Sequence, residues 1–184
     1  MKRIMPIVVC VATMAAGAFA QGGDDAAIQK ALIAAPAQMK EGATVIKWKP
    51  DFTYDTLRKG TNRLVCYDRS GQPGQRQPFS VECTSIANLD RVAQNLKFEA
   101  IADKKASQAA FDAAEKDGTR VKPEFGSVWI HVSGPDPSMV RTHTTIAVPG
   151  ATEKTLGLPE SGKDGRVWIM NAGTTTAHLM TPGS

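Results

Sequence analysis

The sequence predicts an α+β fold: a mostly antiparallel β-sheet with two or three helices packed on one face, held by one disulfide. Three observations carry this expectation. Segments of alternating, β-branched or aromatic composition come in two groups of four, and two segments with helical spacing lie between the groups. Cys66 and Cys83 flank the polar, turn-rich run Arg69-Ser70-Gly71-Gln72-Pro73-Gly74-Gln75-Arg76-Gln77-Pro78. The apolar runs Leu64-Val65-Cys66 and Phe79 to Cys83 on either side read as two strands joined by a long tip and stapled by a disulfide. Finally, the first 20 residues have the form of a leader, which leaves 164 of the 184 residues for one domain.

The leader reading rests on Lys2 and Arg3, an apolar run from Ile4 to Ala20, and the small-x-small group Ala18-Phe19-Ala20, so cleavage is expected before Gln21. The apolar run is shorter than the roughly twenty residues a membrane span needs and ends in a cleavage site. Cys10 lies too early for a lipoprotein. The expected organisation is a signal peptide over 1–20, an N-terminal helix and linker over 21–41, and a single α+β domain over 42–184, exported to the periplasm or beyond, with no membrane span after cleavage. The full chain has 22 basic and 18 acidic residues, and loss of Lys2 and Arg3 leaves 20 against 18. With so small an excess, and no basic cluster interleaved with aromatics, a nucleic-acid partner is not expected. Cleavage also reduces three cysteines to two, an even number that suits an oxidising compartment.

Taken in order, Asp24 or Asp25 can cap a short helix with Ile28, Ala31, Leu32 and Ala35 on one side, and Pro36 stops it. Gly42 introduces a strand over Ala43 to Trp48, Lys49-Pro50-Asp51 turns, and Phe52 to Arg58 alternates as a second strand. With the two cysteine strands this half reads as an antiparallel meander. Asn88 can cap a helix carrying Leu89, Val92, Ala93, Leu96 and Ala100. Ser107 can cap another carrying Ala110, Phe111 and Ala114, with Gly118 past its end. The other faces of both, rich in Asp, Glu, Lys and Gln, read as solvated. Strands return at Ser127 to Val132, Thr142 to Val148, Arg166 to Met170 and Thr175 to Met180, with one helical turn near Glu153 to Leu158.

Few residues point to chemistry. The histidines are His131, His143 and His178, all on C-terminal strands. If 127–132 and 142–148 form a hairpin, setting His131 opposite His143 places Val128, Ile130 and Val132 on one face with Ile146 and Val148, and both histidines on the other. His178 could then add a third ligand to a zinc site, although no short ligand spacing such as H-E-x-x-H accompanies them. Hydrogen-bonded or solvated strand histidines are the simpler expectation. There is no G-x-S-x-G elbow for a serine nucleophile, and Ser161 sits in turn chemistry. Gly71-Gln72-Pro73-Gly74 lacks the Lys-Ser/Thr ending of a phosphate loop, no G-x-G-x-x-G exists, and nothing calls for a cofactor. Trp48, Trp129 and Trp168 on three strands read as core rather than a stacking cleft.

Gly60-Thr61-Asn62 leading to Cys66, with a second cysteine at Cys83, resembles a family of uncharacterised exported bacterial proteins that read G-T-N-G-x-x-C, a Pro/Gly-rich loop and a second Cys. Gly173-Thr174-Thr175-Thr176-Ala177-His178-Leu179-Met180 is similar to a closing A-H-L-M in that family. Arg141-Thr142-His143-Thr144-Thr145-Ile146 stands where the family carries a Pro-His-x-Met-like segment, with Thr142 and Thr145 in place of the proline and methionine. The resemblance runs in pieces from about Gly42 to the C-terminus. It implies an exported α+β domain, brings no activity with it, and singles out His143 and His178.

The expectation is therefore an exported soluble protein, a small binding or stabilising module of the cell envelope whose partner is a small molecule or an envelope protein. The competing expectation is a histidine-dependent hydrolase or metal-binding enzyme using His143 and His178, with His131 as a further candidate.

Overall fold

The computed structural model describes residues 18–182, with side chains from 23 onward. The charged start and most of the apolar run of the expected leader lie outside the described residues. Eight strands form one sheet: β1 (Thr44–Trp48), β2 (Tyr54–Arg58), β3 (Leu64–Asp68), β4 (Phe79–Ser85), β5 (Val128–Gly134), β6 (Arg141–Ala147), β7 (Trp168–Met170) and β8 (His178–Met180). The helices are α1 (Ala18–Ala31), α2 (Leu89–Glu99), α3 (Lys104–Lys116) and the single turn α4 (Glu153–Leu156). The α+β class thus holds. No helix among the described residues is long and apolar enough to cross a membrane.

The strands lie in the order β2-β1-β3-β4-β5-β6-β8-β7. All neighbours are antiparallel except β1 and β3, which run parallel with Thr44 opposite Val65 and Val45 opposite Cys66. This corrects the simple meander. β2 returns antiparallel to β1, and the chain then rounds the start of β1 to pair on its other edge. Gly60-Thr61-Asn62 makes that passage. The Thr61 and Asn62 amides donate to Gly42 O at 2.8 and 2.9 Å. Asn62 Nδ2 donates to Met39 O at 2.8 Å, and Asn62 Oδ1 accepts from the Leu64 amide at 2.9 Å. A Cβ on Gly60 would lie 2.2 Å from Gly42 O and 2.4 Å from Thr44 N, both backbone atoms. Gly60 therefore lets two chain segments touch. Gly60→Ala is expected to destabilise the protein by roughly 1–3 kcal/mol, read as a lower urea midpoint; an unchanged midpoint would refute it.

Alternation divides the core between the two sheet faces. On one face Val45, Leu64, Cys66, Phe79, Val81, Cys83 and Val132 pack against Ala31, Leu32, Ala34 and Ala35, which belong to α1 and the tight turn that follows it. On the other, Ile46, Trp48, Val65 and Tyr67 pack against Leu89, Val92 and Leu96 of α2. α3 lies against α2, where Phe98 and Phe111 meet edge-to-face with centroids 5.0 Å apart. The two central helices thus share one face, as the β-α-α-β order implies, and α1 covers the opposite one. A smaller cluster of Val148, Ala151, Ile169 and Ala177 closes the C-terminal end.

Three expected caps are placed differently. α1 already runs from Ala18, so neither Asp24 nor Asp25 caps it. Asn88 makes no cap bond to α2. Its fully buried amide instead donates to Thr84 Oγ1 and Ser127 Oγ, both at 2.9 Å, and accepts from the Glu124 amide at 2.8 Å. Asp103, not Ser107, caps α3, accepting from the Ala106 amide at 2.7 Å, because α3 begins one turn earlier than its apolar stripe. Gly118 does follow α3, with φ +72°.

Candidate functional site

Directly opposed residues share a face. The registers therefore line up Tyr67, Glu82, His131 and His143 across β3, β4, β5 and β6 on the α2 face. His131 stands directly opposite His143, the register expected from the hydrophobic parity. His178 of β8 stands opposite Ala147, an odd-numbered neighbour of His143 on β6, and so shares this face too. All three histidines line one cavity of about 740 Å³ between the sheet, α2, α3 and the chain segment from Asn171 to His178.

The histidines do not form one centre. His178 sits four residues along the strand direction from His143, about 13 Å at strand rise, and side chains on one face project roughly in parallel. One metal ion with bonds near 2 Å does not span that gap. Among the described residues no group of three or more His, Cys, Asp or Glu is arranged to hold a metal.

Each histidine has its own setting. His131 Nε2 lies 2.8 Å from Ser80 Oγ, which is fully buried. With Gln75 oriented so that its oxygen accepts from Arg69 Nη2 at 2.9 Å, its amide nitrogen donates to Ser80 Oγ at 2.8 Å. The serine hydroxyl then donates to His131 Nε2, and the neutral ring carries its proton on Nδ1. Ser80, fully buried, orients this ring. His178 Nδ1 donates to Thr176 O at 2.8 Å, so its proton sits on Nδ1 in the neutral form.

Burial pushes the His131 pKa below its ordinary 6.5; the Glu82 carboxylate opposes this, and Arg69 and His143 add to it. The unfolded chain then takes up a proton that the folded chain refuses. Stability is expected to fall as pH drops from about 6.5 toward the lower folded value, by at most about 1.4 kcal/mol per pH unit. The neighbouring Glu99, whose carboxyl burial holds above the usual range, works in the opposite direction. The comparison is therefore with His131→Gln: denaturation at stepped pH should show the wild type losing stability relative to the variant across this window, and parallel curves would refute it.

Two arginine settings flank the row. Arg69, just past β3 and 3% exposed, donates from Nη2 to Glu99 Oε2 at 2.7 Å and to Pro73 O at 3.3 Å, with Nε 3.9 Å from Glu82 Oε2. Burial works against its charge, but the two carboxylates outweigh burial and hold its pKa above the ordinary value. Tyr67 Oη donates to Glu82 Oε1 at 2.8 Å, and burial, with that carboxylate beside it, pushes the phenol up.

Arg91 of α2 and Arg120, after α3, are 4% and 5% exposed and line the same cavity. Arg91 Nη1 donates to Val121 O and to Thr175 Oγ1 (2.9 Å), and Nη2 donates to Thr176 Oγ1 at 2.8 Å. Arg120 donates to Gln94 Oε1 and Asn95 Oδ1, and its guanidinium carbon sits 4.9 Å from the centroid of Phe111 and 5.7 Å from that of Phe98. Among the described residues neither makes an ion pair with a carboxylate. Thr175, which accepts from Arg91, donates from both its amide and its hydroxyl to Glu115 at 2.6 Å; Glu115 and Glu99 act on Arg120 without contacting it. Burial, reinforced by Arg120 and opposed by Glu115, pulls Arg91 down to about 10.

The sequence marks neither arginine: Arg91 lies among the polar residues of α2 that read as solvated, and Arg120 follows α3. The available signal was the spacing of Asn88, Arg91 and Asn95, a polar stripe at helical period beside the apolar one. Of the tryptophans, Trp48 is core, meeting Tyr67 edge-to-face at 5.8 Å, whereas Trp129 is half-buried and forms part of the cavity wall. No family model, curated protein or solved structure matches this chain.

Proposed function

We propose that the protein is exported and binds a small molecule in the cavity between the sheet and helices α2 and α3. It belongs, on this reading, with the exported proteins its Gly60-Thr61-Asn62 and His178 segments resemble. The carrying observation is the cavity itself: about 740 Å³, within the usual range of small-molecule sites, walled by side chains held in place before any ligand arrives. Arg69, Arg91, Arg120, His131 and Glu115 each have fixed hydrogen-bond partners, which lowers the ordering cost of binding. Export is supported by the leader-like start and by the buried intramolecular disulfide, which suits an oxidising compartment.

Two measurements test the reading. N-terminal sequencing of protein recovered from the exported fraction should begin at Gln21. A thermal-shift screen against organic acids, amines, sugars and their phosphates should find compounds that raise the melting temperature with concentration. Thr145→Trp, which fills the cavity from the half-buried sheet position beside Trp129, should abolish the shift. A shift undiminished in that variant would place binding elsewhere.

A further inference from the structure

Resting on that binding site, we propose that its ligand is a small organic anion whose carboxylate or phosphate group is held by the guanidinium groups of Arg91 and Arg120. The argument is one of unmet charge. Removing an ion from water costs several kcal/mol unless an opposite charge and hydrogen bonds compensate it. The same cavity shows what compensation looks like: Arg69 has Glu99 at 2.7 Å and Glu82 at 3.9 Å. Arg91 and Arg120, equally buried, contact no carboxylate: Glu115 reaches Arg91 through Thr175, and Glu115 and Glu99 act on Arg120 only from beyond contact distance. Each of these two guanidinium groups thus lacks an opposite charge at contact distance, in a cavity whose lining also holds Glu82, Glu99, Asp112 and Glu115.

The donors to bind such a charge are present. A guanidinium carries five N–H groups in a planar fork suited to bidentate recognition of carboxylate or phosphate. The hydrogen bonds above engage three of them on Arg91 and two on Arg120. Those bonds go to neutral oxygens, which fix each fork without cancelling its charge. The Arg120 guanidinium also lies over the Phe111 ring, its carbon 4.9 Å from the centroid. A site assembled this way is preorganised for an oxyanion rather than for a cation. The volume exceeds that of a bare inorganic anion, and the half-buried Phe111 and Trp129 in its lining offer apolar surface to an organic body.

The test uses purified protein and matched pairs that differ in charge: succinate against succinamide, benzoate against benzamide, and glucose 6-phosphate against glucose. At least one anion is expected to bind at least about tenfold more tightly than its neutral partner by calorimetry, as a charge-assisted bond predicts. Its affinity should fall by about the same factor in Arg120→Gln and in Arg91→Gln. Arg120→Gln alone suffices if Arg91→Gln does not fold. The carboxylate and phosphate arms tell the two head groups apart. Equal binding of charged and neutral partners, or an affinity unchanged in Arg120→Gln, overturns the anion assignment while leaving the cavity a binding site, which Thr145→Trp checks separately. If nothing in the panel binds, both readings fail.

Discussion

Arg69→Met is expected to destabilise the protein by roughly 3–5 kcal/mol, the range for removing one partner of a buried ion pair. Glu99 keeps a side-chain exposure of 25%, which points to the lower end of that range. The variant removes the cation between Glu82 and Glu99, leaving only the more distant Arg120 to act on Glu99, and burial already holds the Glu99 carboxyl above the usual range while Arg69 is present. It also removes the donor to Pro73 O and the partner of the Gln75 amide, so the tip between β3 and β4 loses an anchor and the Ser80–His131 contact loses its orientation. Two controls separate charge from packing. Arg69→Met combined with Glu99→Met should recover part of the loss, because an apolar pair of similar volume replaces an orphaned carboxylate. The single variant should also regain stability relative to wild type as pH falls. The Glu99 carboxyl, already held above its usual range by burial, loses the cation that opposed this, so the folded state takes up a proton before the unfolded one. Urea denaturation at pH 7 and pH 5 measures both, and a deficit that does not shrink at the lower pH would refute the charge argument.

How far the sequence reaches is clearest at individual elements. The pairing of His131 with His143 is legible because strand side chains alternate: only one parity buries Val132 and leaves both rings on the opposite face. The β3–β4 pair is legible because two cysteines at strand positions flank a turn-rich tip. The parallel β1–β3 pairing is not legible in the strand pattern, since β1 is buried on both faces and its composition does not say which edge β3 takes. The deciding feature is the close passage of Gly60 against Gly42, visible in the sequence only as a glycine. β8 lies between β6 and β7, although chain order suggests the reverse; both are three-residue strands, too short to carry a register of their own. The buried arginines were hidden for a different reason. A charged residue beside an apolar stripe is normally solvated, and Arg91 is covered only because tertiary folding brings Val121 and the Asn171–His178 segment onto it.

Breaking the Cys66–Cys83 disulfide is expected to cost about 3 kcal/mol, within the roughly 2–5 kcal/mol seen for native bridges. The two residues are directly opposed on β3 and β4 with Cα atoms 4.1 Å apart, and both are fully inaccessible beneath Ala31 and Leu32. A sequence separation of 17 closes a short loop. Within that loop the tip from Arg69 to Pro78 is held mainly by hydrogen bonds that solvent can replace, such as Gln72 Nε2 to Asp68 O at 2.8 Å. The bridge therefore acts chiefly by limiting the unfolded chain, and its loss should leave the β3–β4 register intact in the folded state. Cys66→Ala and Cys83→Ala should behave alike, because each also opens a small void in the same α1-covered core. Reduction of the wild type should give a smaller loss than either variant, since both sulfurs then stay in place. Intact mass under native conditions should show no free thiol, and equilibrium denaturation with and without reductant gives the free-energy difference. Free thiols at both positions in natively purified protein would sink the prediction. A Cys66→Ala variant as stable as wild type would show instead that the sheet and α1 hold β3 and β4 together without the bridge.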